Sequence, residues 1–165
     1  MRANAIFTPL HSPGLQQRSL FLRACTLLLL SLGFASLALA DEEKEVTDAV
    51  LSLTNKHEKD GFDFRADIWV RELKPELGKA VRVQFFKGND YRICVAVPKD
   101  SGVQIAAHIL DAEGKPIESK VETTEDGWGL VLSAKPKRTG LYVVAIHQSG
   151  GKAKATACAM ISGYK

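Results

Sequence analysis

Residues 80–98 read AVRVQFFKGNDYRICVAVP, and this stretch decides the fold. Two apolar runs, 81–86 and 91–97, alternate their side chains with a period of two residues and flank a Lys-Gly-Asn-Asp turn at 87–90. Such alternation is typical of β-strands that have one face in a core. The stretch therefore predicts two strands, whose core faces carry Val81, Val83 and Phe85 in the first and Tyr91, Ile93, Val95 and Val97 in the second.

Upstream of this stretch, residues 41–59 have the pattern of an amphipathic helix. Apolar residues recur at the i, i+3, i+4 and i+7 positions of a helical face, and they are Val46, Ala49, Val50 and Leu53. Acidic residues at the start and basic residues at the end suit the helix dipole. The helix and the residue that follows it make up an N-terminal segment, residues 41–60. We expect this helix to cover one end of a β-core.

The rest of the chain predicts further strands. Alternating or β-prone runs, separated by Gly, Asp and Pro, occupy segments 62–73, 103–110, 117–124, 128–133, 141–148 and 153–161. Seven or eight short strands at spacings of roughly ten residues are typical of a sandwich. We therefore predict an all-β domain over residues 61–165, a jelly-roll-like antiparallel β-sandwich of seven to eight strands.

Residues 1–40 have the pattern of a secretory signal peptide. Arg18 and Arg23 precede an uncharged apolar run at 24–39, which ends in the small-residue motif Ala38-Leu39-Ala40. A retained membrane anchor fits less well, because a membrane-spanning helix needs about 20 apolar residues. The sequence predicts cleavage after Ala40, a periplasmic or secreted location, and membrane contact only during export.

The charge balance bears on the kind of partner. The chain has 22 Lys and Arg against 19 Asp and Glu, but Arg2, Arg18 and Arg23 lie in the leader, so the mature chain has 19 of each sign. A neutral domain does not capture nucleic acid or an anionic membrane by bulk electrostatics. We expect no nucleic-acid partner.

Three segments resemble a known family. FKGNDY at 86–91, ILDAEG at 109–114 and TGLYVVA at 139–145 are similar to motifs of the bacterial pre-peptidase C-terminal (PPC) domain, and the resemblance spans about residues 81–161. It implies a compact β-sandwich secreted by a bacterium. In that family the domain is often an appendage of exported enzymes, where it aids targeting or substrate binding. This chain departs from the family pattern in its N-terminal helix and in having no recognisable catalytic domain.

The two cysteines after the leader, Cys94 and Cys158, leave two alternatives open. Export permits a disulfide between them, whereas their apolar neighbours in sequence favour two buried thiols. Neither cysteine belongs to a Cys-x-x-Cys motif, which argues against redox catalysis.

No residue pattern points to catalysis or to a cofactor. His57, His108 and His147 do not stand at metal-ligand spacing, although histidines on different strands can still converge in space. A weaker alternative is calcium at the acidic turn residues Asp100, Asp111, Glu113 and Asp126. The chain has neither a Gly-x-Ser-x-Gly elbow nor a phosphate-binding glycine loop. We therefore predict no catalytic residues, no metal ligands, no cofactor and no enzymatic activity.

The candidate binding residues are aromatic. Trp128, Trp69 and Tyr142 can stack on sugar rings where they face outward, and they can equally pack in the core. The leading hypothesis is a non-catalytic binding or accessory module that recognises a protein or polysaccharide of the cell envelope or exterior. The alternative is a structural envelope protein that self-assembles through the N-terminal helix.

Overall fold

The structure is a computed structural model that describes residues 41–165. The predicted signal peptide lies outside the described residues, so cleavage after Ala40 stays a prediction. Residues 41–165 form one compact unit. Within residues 41–165, no helix combines the length and the apolar character that crossing a membrane requires.

One helix precedes nine strands. Helix α1 spans residues 41–59, as the apolar periodicity predicted. A short 3-10 helix, Lys99–Ser101, lies between the fourth and fifth strands. The strands are β1 (Asp63–Phe64), β2 (Trp69–Leu73), β3 (Lys79–Phe85), β4 (Tyr91–Ala96), β5 (Val103–Leu110), β6 (Lys120–Thr123), β7 (Gly129–Ala134), β8 (Gly140–Gly151) and β9 (Thr156–Tyr164).

The strands form two antiparallel sheets. In the larger sheet β1 and β2 pair with successive parts of β9, followed by β4, β7 and β6. The smaller sheet has the order β3-β8-β5, and β5 bulges between Gln104 and Ile105. Side chains of both sheets share one core cluster between them. The predicted all-β sandwich with an N-terminal helix is thereby confirmed, with nine strands rather than seven or eight.

Strand β4 shows why the larger sheet lies in the middle of the molecule. Ile93 and Val95 belong to the cluster between the sheets, while Cys94 and Ala96 belong to a second cluster under α1. Both faces of the strand are covered, and none of its residues is exposed. A continuous apolar run such as this fits a strand that is buried on both faces.

Helix α1 covers a face of the larger sheet rather than an end of the β-core. Val46, Ala49 and Val50 are buried against the outer face of β4, β7 and β9. The helix also comes close to β7 at Gly129, where an added Cβ would lie 3.1 Å from Leu53 Cδ1. The helix is therefore a third layer, and the larger sheet is sandwiched between it and the smaller sheet.

The two strands of the 80–98 stretch do not pair with each other. Strand β3 is an edge of the smaller sheet, and the 87–90 turn carries the chain across to β4 in the larger sheet. The connection from β8 to β9 crosses in the same direction. The expected single strand at 62–73 is also split, because only β1 and β2 pair with β9 and residues 65–68 lie outside both strands.

Candidate functional site

Two recesses open at the same end of the sandwich, on either side of the 87–90 turn. We call this end the loop end, because the β3–β4, β5–β6 and β7–β8 connections form it. Exposed connections held by a rigid sandwich are the usual location of binding residues in such folds. The loop end is therefore the candidate functional site.

The wider recess, the basic groove, has a volume of 1180 Å³. Five basic and three acidic side chains line it: Lys87, Lys120, Lys135, Lys137, Arg138, Asp111, Glu113 and Glu118. Its walls are fixed by bonds between connections, since the Lys87 backbone N–H donates to Thr139 Oγ1 over 2.9 Å and Lys135 Nζ lies 3.5 Å from Asp90 Oδ1. Lys120 is also paired with a carboxylate, Glu122, at 2.9 Å, so the basic side chains of the lining that form no ion pair among the described residues are Lys87, Lys137 and Arg138.

The smaller recess, the aromatic recess, has a volume of 490 Å³ and lies between β1 and the end of β3. Phe86 and Tyr164 line it with 54% and 44% of their surfaces exposed. Polar side chains lie beside these rings in the lining: Asp63, Arg65, Asp67, Gln84, Asn89 and Ser162. An apolar platform is thus combined with carboxylate, amide and hydroxyl groups that can donate or accept hydrogen bonds.

Tyr91 holds the two exposed aromatic residues of the recess in place. Its hydroxyl accepts a 2.8 Å hydrogen bond from the Phe86 backbone N–H, and its ring centroid lies 6.0 Å from that of Tyr164. The floor is equally defined, because the Phe64 ring packs directly over Gly163, where an added Cβ would lie 2.8 Å from ring atoms. Contacts within the chain therefore shape the recess without a ligand.

The predicted binding residue Tyr142 lies in the core. Its ring is 7% exposed and its centroid is 5.0 Å from that of Phe85. Its hydroxyl donates a 2.9 Å hydrogen bond to the carbonyl oxygen of Arg138, four residues earlier. This is the arrangement called a tyrosine corner in β-sandwiches. Tyr142 reaches the wall of the basic groove, but neither face of its ring is free to stack on a ligand.

The two tryptophans are half-buried, and neither of them lines the groove whose wall Tyr142 reaches. Trp128 precedes β7 at the end opposite the loop end and packs against both hydrophobic clusters, with Lys99 Nζ 4.8 Å from its ring centroid. Trp69 pairs with Met160 on β9 and packs against the cluster between the sheets. The three predicted binding residues thus occupy three separate places, and none of them shares a surface with another.

The aromatic residues that do share a recess were missed by the sequence analysis. Phe86 follows Phe85, a core residue, so strand alternation requires the second phenylalanine to point away from the core. That signal was present in the sequence. For Tyr164 there was none, because its exposure depends on which strand lies beside the end of β9.

In the structure the two cysteines are buried thiols, the second of the two alternatives. Cys94 and Cys158 are free and fully buried, and they lie on opposite faces of the larger sheet, one in the cluster under α1 and one in the cluster between the sheets. A disulfide needs Cβ atoms that approach within about 4.5 Å with compatible directions, which two faces of one sheet do not provide. Burial raises the pKa of each thiol to about 12, so both stay protonated.

His57 lies in the last turn of α1 and is 7% exposed. Burial, followed by the charge of Arg92, lowers the pKa of its imidazole from the ordinary value of 6.5. Its Nδ1 is buried without a hydrogen-bond partner among the described residues. The nearby Phe62 ring meets His57 edge-on at 6.0 Å and carries Arg92 Cζ 4.3 Å from its centroid.

The acidic turn residues do not come together as a metal site. The described part of the chain has no group of three or more His, Cys, Asp or Glu side chains that could hold a metal ion. Asp111 Oδ1 instead accepts hydrogen bonds from the backbone N–H groups of Glu113 and Lys115, at 3.1 and 2.8 Å. This is the ordinary role of aspartate in a turn.

Comparison with protein families and with curated proteins identifies no relative of the chain. No protein-family model matches the chain, and no curated protein matches it. The resemblance to the PPC domain stays a prediction.

Proposed function

We propose that the chain is a secreted or periplasmic, non-catalytic binding module that recognises a polysaccharide of the cell envelope or exterior at the aromatic recess. The observation that carries the proposal is the pair of exposed rings, Phe86 and Tyr164, in one preformed recess with polar side chains beside them. The apolar face of a sugar ring packs on an aromatic side chain, as other apolar groups do. Its hydroxyl groups are donors and acceptors for carboxylate and amide groups such as those of Asp63 and Asn89.

A protein ligand is the second candidate, and the basic groove favours it. The groove adjoins the aromatic recess across the 87–90 turn and is large enough for several side chains of an extended segment. Lys87, Lys137 and Arg138 form no ion pair among the described residues. They suit an acidic segment, because complementary potentials speed encounter and select partners. Lys137 and Arg138 are the groups through which such a partner would be held.

The PPC resemblance and the signal-peptide pattern support the same proposal. The signal-peptide pattern predicts export, and the PPC resemblance implies an exported domain that aids targeting or substrate binding. Self-assembly through α1 receives less support, since the helix uses Val46, Ala49 and Val50 to cover its own sheet. A helix with its apolar face occupied has little left to offer a second copy.

Binding of the purified protein to insoluble peptidoglycan and to a glycan array tests the proposal. We expect Phe86→Ala and Tyr164→Ala each to weaken the binding found for the wild type by about tenfold, since each removes roughly 1.5 kcal/mol of aromatic contact. Leu77→Ala is the matched control, because Leu77 is 63% exposed and does not line either recess.

A double variant tests the second candidate, a protein ligand bound in the basic groove. Lys137→Ala combined with Arg138→Ala should abolish capture of a protein ligand while leaving glycan binding unchanged. Glycan binding that survives both aromatic substitutions would contradict the proposed role of the recess.

A further inference from the structure

The outer face of the smaller sheet carries two histidines that the sequence separates by 39 positions. His108 lies on β5 and His147 on β8, and both are exposed. Their ring centroids are 6.0 Å apart, with the ring planes at 66°. The sheet thus brings together two imidazoles that no local spacing pattern connects.

The strand register explains this proximity. His108 lies opposite Ala145, and His147 lies opposite Ala106, so the two histidines occupy one diagonal of adjacent cross-strand pairs. Diagonal neighbours on one face of a sheet are within reach of long side chains. The other diagonal is occupied by two alanines, whose methyl groups leave the space above the strands open to both rings.

Two imidazoles at this separation are suited to a metal ion. Imidazole nitrogen is a preferred ligand of Zn²⁺, Ni²⁺ and Cu²⁺, with metal–nitrogen distances of about 2.0–2.1 Å for zinc. Both side chains are exposed, so rotation about their side-chain bonds can direct one nitrogen of each ring at a common point. The backbones of two paired strands hold the Cα positions fixed, which makes a site on strands more precise than one on loops.

We propose that His108 and His147 together bind one divalent transition-metal ion on the outer face of the smaller sheet. Within residues 41–165 no third His, Cys, Asp or Glu completes the cluster, so water fills the remaining coordination positions and the ion stays exchangeable. Cu²⁺ binds most tightly, because nitrogen sites follow the Irving–Williams order. The site is separate from the aromatic recess and does not depend on the proposed function.

Titration of the purified, untagged protein with Cu²⁺ tests the proposal, with calorimetry for affinity and electron paramagnetic resonance for the ligand atoms. We expect one site whose spectrum shows coupling to two imidazole nitrogens. His108→Gln and His147→Gln should each weaken it by roughly 100-fold, because the second nitrogen of a chelate binds as an intramolecular ligand. Arg82→Gln, on the same face of β3, is the matched control and should leave the affinity unchanged.

Three outcomes would overturn the proposal: no binding to the wild type, affinity that is retained in both histidine variants, or loss in only one of them. The last would show a single histidine acting with other ligands. Because both side chains are exposed, circular dichroism should show each variant folded as the wild type, and loss of binding then reports on the metal site alone.

Discussion

Tyr142 is the residue on which the β7–β8 connection depends. Its hydroxyl bonds the carbonyl oxygen of Arg138 while its ring packs on Phe85 in the core. The side chain therefore fixes the loop that forms one wall of the basic groove. It stabilises the site without offering a surface to a ligand.

Tyr142→Phe keeps the ring and removes the hydroxyl, so it isolates this hydrogen bond. We expect the free energy of unfolding to fall by about 1 kcal/mol, the usual net value of one such bond, as measured by urea denaturation. Tyr164→Phe is the control, because that hydroxyl belongs to an exposed side chain. Equal stability of wild type and Tyr142→Phe would show that the hydrogen bond of the tyrosine corner contributes nothing to the free energy of unfolding.

His57 links stability to pH. Burial and Arg92 lower its pKa in the folded state, so below 6.5 the unfolded chain binds a proton more readily than the folded chain does. The contribution of His57 is complete above pH 6.5 and is lost as the pH falls through the folded-state pKa.

We therefore expect the free energy of unfolding to fall between about pH 7.5 and about pH 5.5 by more in the wild type than in His57→Gln. Denaturation at the two pH values measures the free energy of unfolding of the wild type and of His57→Gln. All other titratable groups are common to the two proteins, so their contribution cancels. Identical pH dependence would mean that the imidazole is not desolvated in the folded state.

At the scale of elements, α1 is attached to the larger sheet at its first turn as well as along its apolar face. The Glu42 Oε1 atom accepts hydrogen bonds from Thr156 Oγ1 at 2.9 Å and from the Ala157 backbone N–H at 3.0 Å. Thr156 is 1% exposed. The carboxylate thus satisfies two groups at the start of β9 that the protein shields from water.

Glu42→Ala should lower the free energy of unfolding by about 1–2 kcal/mol, since it leaves these donors without their charged acceptor. Glu45→Ala, an exposed position on the same helix, is the control for the loss of one negative charge near the helix N-terminus. Thermal unfolding of the three proteins measures the difference. If both variants lose the same stability, the helix dipole and not the link to β9 is responsible.

The strands show what local sequence can and cannot predict. The predicted segment 103–110 begins and ends at the same residues as β5, because its alternation of buried and exposed side chains is a property of the strand itself. The partner of a strand is not local, and for this reason the sequence predicted β3 and β4 as strands without indicating that they lie in different sheets. The same limit applies to the sites: Phe86 could be inferred to point outward from Phe85, whereas the proximity of His108 and His147 follows from the pairing of β5 with β8.

At the scale of the whole molecule, the three layers are unequal. The middle strands of the larger sheet, β4, β7 and β9, are covered on both faces, and the smaller sheet has one face in the core and one in solvent. Removing α1 would uncover a second, far more apolar face, formed by Cys94, Ala96, Val131, Ala159 and Ile161.

Deletion of residues 41–60 should therefore destabilise the domain rather than merely abolish an assembly contact. We expect a lower melting temperature and strong binding of a hydrophobic dye, because the exposed face consists of residues that are 0–7% exposed in the intact chain. The intact protein supplies the reference for both measurements. A deletion variant that melts like the intact protein but loses a higher oligomer would instead favour self-assembly through the helix.

The interrupted edges of the two sheets have a consequence for the chain while it folds. An open strand edge is a template onto which another chain can add. Here one edge is broken between β1 and β2, another is the four-residue β6, a third is the bulged β5, and the last, β3, carries Lys79 and Arg82. The break, the short strand and the bulge shorten the regular row of hydrogen-bonding groups with which a neighbouring chain could pair, and the basic side chains of β3 disfavour the approach of a second copy of the same edge.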